Sequence, residues 1–75
     1  MQHSHEQIAA DTAALAAHRC PETGRDLKPL NAAALRTHIA LTFPHADDPT
    51  MVDSDHARRA RALRAYLAER FKEEQ

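Results

Sequence analysis

One cysteine, six histidines and a cluster of arginines are the side chains through which this 75-residue chain could do chemistry. Cys20 stands two residues from His18, and an imidazole beside a thiol is the pairing that generates a nucleophilic thiolate. The other parts of a catalytic site are missing. Gly24 is the only glycine, so there is no glycine-rich loop to cradle a phosphate. A chain of this length also leaves no room for a substrate pocket of about 300 Å³ beside a core. No enzyme activity and no catalytic residue are expected.

Arg58, Arg59, Arg61 and Arg64 follow one another closely, with no acid among them. On a helix Arg58, Arg61 and Arg64 share one side and Arg59 lies to its flank. Such a strip matches phosphates, and a helix is the element that enters a DNA major groove. It matches an acidic protein surface equally well, because a guanidinium fork meets a carboxylate with two hydrogen bonds. A plainer role is a solvated face paired with Asp53, Asp55 and Glu69. The strip has no aromatic residue to stack on bases. With 10 Lys and Arg against 11 Asp and Glu, the formal charge of -1 does not draw the chain toward nucleic acid or membrane.

The elements that position these groups read as helices. Hydrophobic residues are 43% of the chain, but alanine supplies half of them, so the core is expected to be thin. A metal, a partner protein or a second copy in a homodimer would complete it. The scarcity of valine and isoleucine argues against strands. The fold class is therefore all-α: one small domain over 1–75, with helices at about 4–19, 31–43 and 54–72 and the first and last few residues disordered. Ser4 with Gln7 forms a capping box for the first helix, whose large apolar residues, Ile8 and Leu15, share a face. Cys20 before Pro21 ends it. Asn31 caps the second helix, Pro44 stops it, and Leu35, Ile39 and Phe43 form its inward stripe. Asp53 or Ser54 caps the third, with Ala60, Leu63, Leu67 and Phe71 inward and His56 on the same line. Met51 and Val52 are expected to pack back before it. Leu41 and Tyr66 point away from the main stripes and are expected to be exposed.

The stretch from Cys20 to His45, about a third of the chain, resembles a two-Cys, two-His zinc finger. Cys20 occupies the first ligand position, and Gly24 and Arg25 follow the position of the second. Leu27 stands where the family places its first core aromatic. Leu35 precedes His38 by three residues, as the helix leucine precedes the first ligand histidine, and His45 follows. The resemblance is degenerate, because Thr23 replaces the second cysteine and Pro44 separates the two histidines. It implies a finger-like turn between the first two helices. It also implies zinc as the one cofactor to consider, held by Cys20, His38, His45 and His18, with His56 a second candidate for the fourth place. Held by packing alone, the same turn would make Cys20 a small buried hydrophobe, give Thr23 a backbone hydrogen bond and leave His45 facing solvent.

No signal peptide or membrane span is evident, and one cysteine permits no internal disulfide, so a cytoplasmic location is expected. The expected function is that of a small accessory or regulatory protein, a protein–protein interaction module using Arg58, Arg59, Arg61, Arg64, Leu41 and Tyr66. The alternative is a nucleic-acid-binding regulator that presents the arginine-rich helix in a reduced finger-like arrangement.

Overall fold

The computed structural model describes residues 5–72. The Ser4 capping box, His3 and the expected disorder at both ends lie outside the described residues. The chain is a small all-α domain of three helices: α1 (His5–Ala16), α2 (Ala32–Thr42) and α3 (Asp55–Arg70), with a short 3₁₀ turn at Pro49–Met51. Both α1 and α2 pack on α3. Among the described residues no helix is long and apolar enough to cross a membrane.

Local chemistry sets most of the boundaries. The Asn31 side chain accepts from the Ala34 amide at 2.8 Å and starts α2. Phe43, pushed out of the helical region by Pro44, ends it. The Ser54 hydroxyl accepts from the Ala57 amide at 3.1 Å, which makes Ser54 rather than Asp53 the cap of α3, and Asp55 follows in the first turn where the helix dipole favours an acid.

The end of α1 differs from the sequence expectation. The helix closes at Ala16, before the Cys20–Pro21 pair is reached. His18 sits at φ +60°, in the left-handed region, and the Arg19 amide donates back to the Ala14 carbonyl at 2.8 Å while the His18 amide donates to Leu15 at 2.9 Å. This is a Schellman ending with histidine where glycine is usual. The chain then folds back as a tight hairpin with one bridge between Arg19 and Asp26. The Cys20 amide donates to the Arg25 carbonyl, the Leu27 amide donates to His18, and Gly24 takes φ +77° to close the turn.

The core sits between this hairpin, α2 and α3. Cys20, Leu27, Leu30, Leu35, Ile39, Phe43, Ala60 and Leu63 are buried together, and Leu15, Tyr66, Leu67 and Phe71 pack against them. Two large apolar residues stay outside the core. Val52 is 51% exposed rather than packed back, and Ile8 on α1 is 38% exposed, whereas Leu15 of the same helix packs on the core. Among the described part of α1 the one buried residue is Asp11.

Leu63 is fully buried at the centre, so Leu63→Ala should cost about 3 kcal/mol. That is much of the stability of a domain this size. Urea melts followed by circular dichroism check it, with Leu41→Ala expected to shift stability by less than about 0.5 kcal/mol.

Candidate functional site

The arginine strip divides in the folded chain. Arg58 turns toward α1, where it hydrogen-bonds Asp11 and also reaches Asp55 at 3.2 Å. Arg59 donates through Nε to Asp11 at 3.1 Å and through Nη1 to Glu22 of the hairpin at 2.5 Å. One buried carboxylate thus holds two guanidiniums, and the charge it brings into the protein is compensated. Burial alone would lower the Arg59 pKa, but its bonds to Asp11 and Glu22 outweigh that and raise it. Glu22 also faces His56 at 3.5 Å. Only the second half of the strip stays at the surface: Arg61 donates to the Val52 carbonyl at 3.0 Å and Arg64 pairs with Asp47 at 3.1 Å. Of the partners expected from sequence, Asp55 is engaged by Arg58, whereas Glu69 pairs with Lys72. Asp11, Glu22 and Asp47, which the spacing did not point to, hold the arginines instead.

Tyr66 is half-buried rather than exposed. Its hydroxyl accepts from Arg70 at 3.2 Å and meets His18 Nδ1 at 2.8 Å, so it is free to donate its own proton to that nitrogen. Arg70, which no spacing in the sequence singles out, also donates to the carbonyls of Leu27 and Lys28 at 2.7 Å each and fastens the hairpin to the end of α3.

The four finger-like positions go to different places. Cys20 is buried in the core, His18 faces Tyr66, and the exposed His45 lies near His56 with ring centres 6.4 Å apart and the rings tilted by 42°. Among the described residues no group of three or more His, Cys, Asp or Glu side chains is placed to hold a metal ion. Thr23 accepts from the Arg25 amide at 3.3 Å within the turn.

His38 lies on the inner edge of α2, 6% exposed. Its Nδ1 faces Arg25 Nη1 and the Thr42 hydroxyl, each at 3.4 Å. A guanidinium can only donate, so Nδ1 accepts there, and Nε2 is buried with no hydrogen-bond partner among the described residues. Burial first, and the Arg25 charge second, lower the His38 pKa.

Beside His38 the surface opens into a hollow of about 570 Å³, lined by Thr23, Arg25, Ala34, Thr37, His38, Leu41 and Thr42. The hollow is open to the surface and is not enclosed within the core. The hairpin and α2 stand apart here, and alanine and threonine fill little of the gap. Leu41 stands on the rim, 78% exposed. A second hollow of about 200 Å³ lies on the other flank of α2, lined by Arg36, Ile39, Ala40, Arg64 and Leu67. No family model, curated protein or solved structure matches the chain.

Removing the Asp11 carboxylate leaves two partly buried guanidiniums short of a partner, so Asp11→Ala should destabilise the domain by about 2 kcal/mol in thermal melts. The His38 pKa in the folded chain is below its ordinary value of 6.5, so in the interval between the two values the unfolded chain binds more protons. The stability linked to His38 is therefore complete above that value and declines as the pH falls below it. Melts between pH 7.5 and 5.5 should show a shallower decline for His38→Gln than for the wild type.

Proposed function

We propose that this chain is a small accessory or regulatory protein that works as a protein–protein interaction module, docking through the outer face of α2. The observation that carries the reading is Leu41, a large apolar side chain 78% exposed at the rim of the open hollow. It adds nothing to the core, and covering it would remove apolar surface from water. The hydrogen-bonding groups around it, Thr23, Arg25, Thr37 and Thr42, supply the polar rim that protein interfaces carry. Arg58 and Arg59 support the same choice by their engagement with Asp11 and Glu22, which leaves Arg61 and Arg64 as the outward part of the strip.

Tagged protein purified from its native cells should retain a protein in near-stoichiometric amount, identified by mass spectrometry. Leu41→Arg should lose that protein while its circular dichroism stays unchanged. If nucleic acid is retained in place of protein, is shed as salt rises and is unaffected by Leu41→Arg, the proposal is wrong.

A further inference from the structure

We propose that the partner element seated on α2 is an acidic amphipathic helix, lying along the outer face between the two hollows. This rests on the docking reading above and adds the chemistry of what docks.

The outer face of α2 consists of Ala33, Arg36, Thr37, Ala40 and Leu41, all exposed, while Leu35, His38 and Ile39 are buried on the inner side. Ala33, Thr37 and Ala40 recur at helical spacing and form a low central ridge over which another backbone can approach closely. Hollows sink on both flanks of this ridge, with the Arg25 hairpin walling one and α3 walling the other. A low ridge between two grooves is the shape that accepts the side-chain ridges of a second helix. The 11 residues of α2 give a track about 16 Å long, so a partner helix of about three turns covers it.

The charge of the face selects the sign of the partner. Three guanidiniums, Arg25, Arg36 and Arg64, line the two hollows and no carboxylate does. The α2 sequence AAALRTHIALT contains no acid. Among the described residues, neither Arg25 nor Arg36 has a carboxylate within ion-pair distance. Arg64 holds Asp47, but both side chains are exposed, and an exposed ion pair is readily exchanged for a better-placed one. Carboxylates on both edges of an incoming helix would meet Arg25 on one side and Arg36 with Arg64 on the other. Its apolar stripe would rest on the ridge and on Leu41. Like charges at these places would repel a basic helix, and a neutral one would leave the arginines desolvated without a partner.

The probe is a displayed library of helical peptides of about three to four turns, screened against the full chain, with the enriched peptides measured by fluorescence anisotropy. Peptides carrying Glu or Asp on both sides of a leucine stripe should be enriched, with affinity falling as salt rises. Arg25→Glu and Arg36→Glu should each weaken binding by about tenfold or more, and Arg36→Lys by much less. Both side chains are exposed, so circular dichroism should be unchanged in each variant. Enrichment of neutral or basic peptides, no enrichment at all, or binding indifferent to both reversals would overturn the acidic helix. So would sedimentation showing a dimer that Leu41→Arg dissociates, since the occupant would then be a second copy. A native partner lost by Leu41→Arg but retained by both charge reversals would keep the docking reading and remove only this inference.

Discussion

The carboxylate of Asp11 decides how the arginines of α3 divide between the interior and the surface. Among the described residues of α1 it is the one that is buried, and it draws Arg58 and Arg59 across from α3. With Leu15 it is what holds an otherwise alanine-rich and exposed helix onto the domain. Charge taken into a protein must be neutralised where it lies. The same carboxylate therefore removes two guanidiniums from the outside and, through Arg59 and Glu22, ties the hairpin to α3. A strip that looks like a binding surface on a helical projection becomes a clamp on one half and a surface on the other.

A second clamp closes the opposite end of the hairpin. His18 occupies a left-handed position that costs a non-glycine residue about 1 kcal/mol or more, and the hydrogen bond to Tyr66 helps to hold it there. Arg70 binds Tyr66 and two hairpin carbonyls. These polar contacts fix the hairpin's turn, and its Cys20 and Leu27 side chains are buried in the core. Thr23 accepts a backbone hydrogen bond at the position where a finger would present a thiolate.

These two clamps leave α2 as the helix with an open face. Its inner side closes the core through Leu35, His38 and Ile39, and its outer side carries small residues, arginine and Leu41. The hollow beside it is bounded by Thr23 and Arg25 of the hairpin and by the Ala34–Thr42 side of the helix. His38 lies at the boundary, with Nδ1 turned to Arg25 and Nε2 enclosed, so the protonation state of the core edge and the charge of the outer face meet at one ring.

What the sequence determined by itself is the helical architecture and most of its limits. Asn31, Ser54 and Pro44 act on their immediate neighbours, and the apolar stripes of α2 and α3 repeat within a few residues, so their consequences are readable locally. The burial of Leu35 and the exposure of Leu41 follow from the same short-range spacing. The end of α1 was not readable, because histidine carries no signature for a left-handed position and its hydrogen bond to Tyr66 joins residues 48 apart. The fate of the arginines was equally hidden, since Asp11 meets Arg58 across 47 residues and four cations in a row look alike until the fold supplies the acids. Only tertiary structure decided which charges face inward, because pairing depends on distance in space and a chain encodes only distance along itself.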